Sequence, residues 1–145
     1  MFGLGFRRGL VGFVDPLPGA RVTSPYGPSR DPWTREPALH EGIDLRRPLG
    51  SEVVSSLPGR VTAAGEAGGW GMRVVVTHAD EIETFYAHLD SITVEPGDEV
   101  ASGDLIGTLG KTGRATGPHL HFAVRRAGQP VDPADLLPAW RRPVK

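Results

Sequence analysis

The chain has 145 residues, a length that fits one domain and needs no covalent staple to hold a core. It contains no cysteine, so disulfides and thiolate metal sites are both excluded. Its 16 basic and 17 acidic residues are mixed along the chain and sum to −1, which gives no electrostatic reason to expect nucleic acid or an anionic membrane as partner.

Read from the N-terminus, residues 1–17 form an arm ahead of the domain proper. Its apolar run Leu10 to Val14 follows an arginine pair, is interrupted by Gly12 and stops at Asp15-Pro16. That is short of the roughly 7–15 apolar residues an export signal carries, so no convincing signal peptide is expected. No stretch approaches the ~20 apolar residues of a membrane-spanning helix. The domain itself is expected over 18–137, with a basic tail at 138–145.

The first chemistry-bearing motif is His40-Glu41-Gly42-Ile43-Asp44. In an ideal strand His40 and Asp44 would stand roughly 13 Å apart, too far for bonds of about 2 Å to one metal ion. In a helix they would be neighbours, as in the helical His-Glu-x-x-His zinc site. Gly42 in mid-motif, with Pro37 and Pro48 on the flanks, argues against a helix. An irregular segment is expected, with Gly42 allowing a bend that brings both side chains to one point.

Next come candidate strands at Arg60–Ala64, Met72–His78, Glu83–Leu89, Ser91–Val94, Glu99–Val100, Leu105–Leu109 and His119–Arg125. Glycine- and proline-rich turns separate them, so the fold class is all-β. A weak internal echo runs through the set. Pro48–Val54 followed by Arg60–Gly65 matches Pro96–Val100 followed by Leu105–Gly110, each reading as turn, short strand, turn, longer strand.

Three of these segments carry histidines. His78 closes one strand and reads as structural or surface. In Thr84-Phe85-Tyr86-Ala87-His88-Leu89, alternation places Thr84, Tyr86 and His88 on one face and Phe85, Ala87 and Leu89 toward the core. In His119-Leu120-His121-Phe122-Ala123-Val124, the two histidines and Ala123 share a face while Leu120, Phe122 and Val124 pack inward. The only helical turn starts at Asp132, with Pro133 at its first position.

These groups add up to one site. A catalytic zinc takes three protein ligands and keeps an open position. His40, Asp44 and one of the His119/His121 pair fill those places, and the remaining histidines suit proton transfer. Spacing alone does not choose between His119 and His121.

His40–Asp44, Tyr86-Ala87-His88-Leu89 and Gly117-Pro118-His119-Leu120-His121-Phe122 resemble, in order and spacing, the three motifs of lysostaphin/LytM-type metallopeptidases. The flanks agree: Ser24-Pro25-Tyr26-Gly27 precedes the first motif, and Pro130-Val131-Asp132-Pro133 follows the last. The resemblance covers about residues 18–137. It implies a two-sheet antiparallel β-sandwich, or barrel-sandwich hybrid, of duplicated type. It further implies one Zn2+ per chain, held by His40, Asp44 and His121, with His88 and His119 as catalytic histidines. The implied activity is hydrolysis of peptide bonds in stem peptides or cross-bridges of bacterial peptidoglycan. Such an enzyme acts at an extracellular, periplasmic or virion-associated location. Groove walls are expected from Tyr26–Ala38, Gly65–Gly71 and Gly110–Pro118, with Trp33 and Trp70 either along the substrate or packing a loop down. Ala123, Met72 and Arg35 depart from the residues common in the family (Glu or Gln, Asn, and Gly). A histidine phosphocarrier and a non-catalytic peptidoglycan-binding module are the alternatives. The first has no use for His40 and Asp44; the second has no need of a complete ligand set.

Overall fold

The computed structural model of the chain describes residues 13–137 and Trp140. Residues 1–12 of the expected arm and most of the basic tail lie outside them. The strands are β1 (Arg21–Ser24), β2 (Gly27–Arg30), β3 (Pro37–His40), β4 (Ile43–Arg46), β5 (Glu52–Val54), β6 (Gly59–Glu66), β7 (Met72–Thr77), β8 (Ile82–Ile92), β9 (Glu99–Val100), β10 (Leu105–Leu109), β11 (Leu120–Arg126) and β12 (Gln129–Val131). All their pairings are antiparallel. The main path runs β1-β4-β11-β8-β7-β6-β9, with β12 on β11 and a separate β2–β3 hairpin. Among the described residues, no helix is long and apolar enough to cross a membrane.

β8 organises the fold. Its first part lies between β7 and β11, and its last residues pair with β10, which in turn pairs with β5. One strand thus serves two layers, and the core fills the space between them. Val53, Ile106 and Leu109 from the β5–β10 side meet Val74, Tyr86 and Phe122 from the other, all fully buried. Leu17 and Phe13, at the end of the expected arm, also pack on this core.

The internal echo has a counterpart in three dimensions. The short strand of the first half, β5, pairs with the long strand of the second, β10. Reciprocally, β9 pairs with β6. Each half completes the other's ladder, which is what a duplicated unit folded face to face requires.

Two expectations need correction. Four short strands precede residue 47, where sequence showed only turns and irregular segments; at four residues each they are too short for alternation to register. The expected strands 83–89 and 91–94 are largely one, since β8 runs unbroken to Ile92.

His78 has a structural part. Its Nδ1–H donates to the Pro58 carbonyl at 2.7 Å, and its Nε2 accepts from the Thr84 hydroxyl at 2.7 Å. Thr84 in turn accepts from the Tyr86 hydroxyl at 2.7 Å, which accepts from the Ser56 N–H at 2.9 Å. A neutral imidazole satisfies this chain with one ring nitrogen donating and the other accepting. Burial lowers the His78 pKa from the ordinary 6.5, and the Pro58 carbonyl only partly opposes it. The unfolded chain therefore binds a proton that the folded chain refuses. The stabilisation is complete above about pH 6.5 and is lost as pH falls toward the depressed value. A His78→Gln protein should be less stable at pH 7 by about 1–3 kcal/mol and show a flatter dependence between pH 7 and 5 in urea melts. Parallel pH profiles for the two proteins would show that His78 is not the sensor.

Candidate functional site

The bend expected at Gly42 separates two strands. His40 ends β3, and Asp44 sits one residue inside β4. Asp44 lies directly opposite His121 across the β4–β11 ladder. Cross-strand partners are close neighbours on one face, and here Asp44 Oδ1 is 3.0 Å from His121 Nδ1. His40 turns over them from β3, its Nε2 3.4 Å from the same oxygen. The ligand-capable atoms of His40, Asp44 and His121 all lie within 4.8 Å of one another. A tetrahedral zinc with bonds of 2.0–2.2 Å spaces its ligand atoms roughly 3.3 Å apart, so this set fits such an ion with little movement. His40 is also oriented for that role: its Nδ1–H donates to the Pro25 carbonyl at 2.8 Å, leaving the Nε2 lone pair facing inward.

Gly42 serves differently from expectation. Its φ is not in the left-handed region. What matters is room, because a Cβ there would lie 2.6 Å from the Phe122 carbonyl oxygen and 2.9 Å from His121 Cε1.

His88 and His119 complete the cluster, with ring centroids 4.8 Å apart. The alternation expected around His88 is reversed. His121 pairs with Ala87 and Ala123 with Phe85, so Ala87 and Phe85 lie on the site face while Thr84 and Tyr86 point to the core. A β-bulge then redirects His88. Met72 and Val74 oppose Leu89 and Tyr86, two steps on β7 against three on β8, and His88 takes φ +64°. The extra residue swings its ring to the side occupied by His119 and His121.

Thr112 holds that strained residue in place. Its carbonyl accepts the His88 Nδ1–H at 2.7 Å. Its hydroxyl donates to the Leu89 carbonyl at 2.6 Å and accepts from the Met72 N–H at 3.0 Å, stitching both sides of the bulge. His119 is fixed the same way, its Nδ1–H donating to the Gly117 carbonyl at 2.9 Å. In each ring Nδ1 is committed to the backbone and Nε2 is left for chemistry. Neither Thr112 nor the carbonyls of Pro25 and Gly117 stood out in the sequence; no side-chain pattern announces a backbone acceptor.

The electrostatics suit a cation and a base. Burial alone would raise the Asp44 carboxyl, but hydrogen bonds from His121 and His40 outweigh it and hold the group far below the usual carboxylate range. Burial pushes His88 below its ordinary value, with the neighbouring His119 and His121 adding to the effect against the Thr112 carbonyl. His88 is therefore neutral at neutral pH. An anionic carboxylate at the centre would repel a phosphoryl group, which counts against a phosphocarrier.

The cluster forms the floor of a cleft of about 550 Å3. Its walls come from the three segments expected: Ser29 and Trp33 from one, Gly69 and Trp70 from another, Arg114 and Thr116 from the third. Trp70 is half-buried, 5.6 Å from Phe85 and 5.5 Å from His121 between ring centroids, so it braces the site as well as lining it. Trp33 is 48% exposed, with the Arg114 guanidinium 4.3 Å above its ring and 3.5 Å from Asp31. Two departures from the family pattern have physical readings. Arg35 adopts φ +67°, a conformation glycine takes without strain. Ala123 is buried against Phe85 and Val75, so it does not open space in the cleft.

Residues 38–133 match the model of a protein family described as Peptidase family M23. Peptidoglycan DD-endopeptidase ShyA of Vibrio cholerae is 39% identical over 113 residues, 77% of this chain and 26% of that protein. A zinc containing peptidase from Vibrio cholerae superposes with TM-score 0.75 at 35% identity, over 92% of this chain and 39% of that one. The catalytic domain of the antimicrobial peptidase lysostaphin from Staphylococcus simulans gives TM-score 0.77 at 29% identity, over 84% of this chain and 95% of that domain. The chain spans little more than a quarter of the length of the curated relatives it matches.

Proposed function

This chain belongs to peptidase family M23, and on that premise we propose that it is a zinc-dependent endopeptidase hydrolysing peptide bonds in peptidoglycan stem peptides or cross-bridges. The observation that carries the reading is the convergence of His40, Asp44 and His121 on one point faced by two further histidines. His40 Nε2, Asp44 Oδ1 and His121 Nδ1 would hold the metal. A zinc ion there supplies Lewis acidity and a bound water acidified to about pKa 7.

The remaining steps belong to the protein. His88 is held neutral by burial, with its Nε2 lone pair free, so it takes the proton from the attacking water. His119, held through Nδ1 against the Gly117 carbonyl, presents Nε2 beside His88, where it hydrogen-bonds the developing oxyanion. The same two rings can return a proton to the leaving amine. Trp33 and Trp70 give the cleft apolar walls for a peptide lying across the floor. A substrate of this kind places the activity outside the cytoplasm, in an extracellular, periplasmic or virion-associated setting.

The test is digestion of purified peptidoglycan with and without a chelator, followed by mass spectrometry of the released fragments. New amino termini should be found, should vanish with chelator and should return with added zinc. Release of fragments that ignores the chelator, or none from any wall type, would overturn the proposal.

A further inference from the structure

β1 and β4, which bring Ser24 and Asp44 to the cleft, also carry three arginines in or next to them. Leu45 is fully buried, so its neighbours Asp44 and Arg46 share the opposite, site-facing side of the strand, about 6.6 Å apart along it. On β1, Ser24 lies opposite Asp44 and Arg21 lies opposite Arg46. Arg47 follows at the strand end. Arg21, Arg46 and Arg47, with Pro118, line a pocket of about 500 Å3 beside the loop that holds His119.

This grouping runs against ordinary surface design. Like charges directly opposite on neighbouring strands repel, yet none of the three arginines is in an ion pair among the described residues. All three are exposed, and two of the guanidinium groups lie close to glycine backbone. A Cβ on Gly117 would meet Arg46 Nη2 at 3.2 Å, and one on Gly19 would meet Arg47 Nη1 at 2.8 Å, so each guanidinium lies against a backbone that has no side chain to exclude it. The carboxylate on the same face, Asp44, is turned to the histidines. The result is a concave pocket lined by three cations and no carboxylate, on the two strands that carry Ser24 and Asp44 and beside the loop that carries His119.

We propose that Arg21, Arg46 and Arg47 form a subsite for a free carboxylate of the peptide substrate, carried about two to three residues from the scissile bond at the ~3.3 Å per residue of an extended chain. The inference rests on the peptidase reading above and narrows it to acidic stem peptides, as opposed to cross-bridges without carboxylate side chains.

Binding is measured by calorimetry in a His88→Ala protein loaded with zinc, so that turnover does not interfere. The ligands are a stem peptide with free carboxylates and the same peptide fully amidated. Amidation should weaken binding about ten-fold, the scale of one charge-assisted contact. After Arg46→Gln and Arg47→Gln the two peptides should bind alike, at the weaker level. Zinc content should stay the same, and the melting temperature should hold or rise, because an opposed pair of like charges has been relieved. A preference for the acid that survives both substitutions overturns the proposal, and so does equal binding of the two peptides to the parent. Arginine-dependent binding of a phosphate-bearing wall polymer, with no preference between the peptides, overturns it too. Failure of the peptidase reading looks different: the wild-type chain would cleave neither peptide while the arginine-dependent preference persisted.

Discussion

A His121→Ala protein should lose both zinc and cleavage, whereas His119→Ala should keep near-stoichiometric zinc and lose about 10²–10⁴-fold in rate, the range of a general acid–base group. The contrast follows from strand geometry. His121 and His119 are two residues apart on or beside β11, but only His121 faces Asp44 across the ladder, with its Nδ1 at 3.0 Å. His119 Nε2 stands off at 3.7 Å, and its Nδ1–H is tied to Gly117. Removing His121 would strip one of the three proposed ligands and leave only His40 and Asp44 of the set. Removing His119 leaves the triad whole. His88→Ala should behave like His119→Ala. Metal content by elemental analysis, read beside the rate on a fluorogenic peptide, separates the classes. Equal zinc loss in both proteins would mean that the ligand set has been misassigned.

The parts of this site that were legible in the sequence are those in which side-chain identity and strand period agree. On β11 alternation alone placed Leu120, Phe122 and Val124 in the core and His121 and Ala123 on the opposite face, as the structure has them, although Ala123 is buried there against Phe85 and Val75. On β8 the same rule failed. Thr84 and Tyr86 are polar, and they read as an outer face, yet they are buried in a hydrogen-bond chain with His78 and Ser56. A buried polar chain looks, in one dimension, like a surface. The bulge at His88 was also invisible, because its cause lies 24 residues away in the Thr112 carbonyl and hydroxyl. The first fifty residues hid their strands for a third reason. β2 and β3 form a hairpin with mostly exposed residues, so no buried face imposes a period on the sequence. The family resemblance supplied what pattern could not, a reason to propose His121 over His119 as ligand.

Gly42→Ala is the second large effect expected, and its size depends on why the glycine is there. If Gly42 only provided a bend, alanine would be nearly neutral, since the backbone at this position needs no left-handed φ. The structure gives a different reason. The added methyl would meet the Phe122 carbonyl oxygen at 2.6 Å and the His121 ring at 2.9 Å and 3.0 Å. Phe122 is itself a ladder partner of Ile43 and fully buried, so its carbonyl cannot give way without opening the β4–β11 pairing. That pairing is what sets Asp44 against His121. Relief must therefore come from moving the ligand ring or separating the strands, and either damages the metal site. The expected result is a loss of about 1–3 kcal/mol in stability from overpacking. A 10–100-fold fall in zinc affinity should accompany it, of the order seen when a ligand's supporting contacts are disturbed. Glu41→Ala, one residue away and exposed, should change neither quantity. Zinc titration with a competing chelator, run beside thermal melts of all three proteins, reads both effects. Near-normal zinc affinity in Gly42→Ala would show that the strands slide apart without disturbing the ligands, and that closeness at Gly42 is a packing feature independent of the metal.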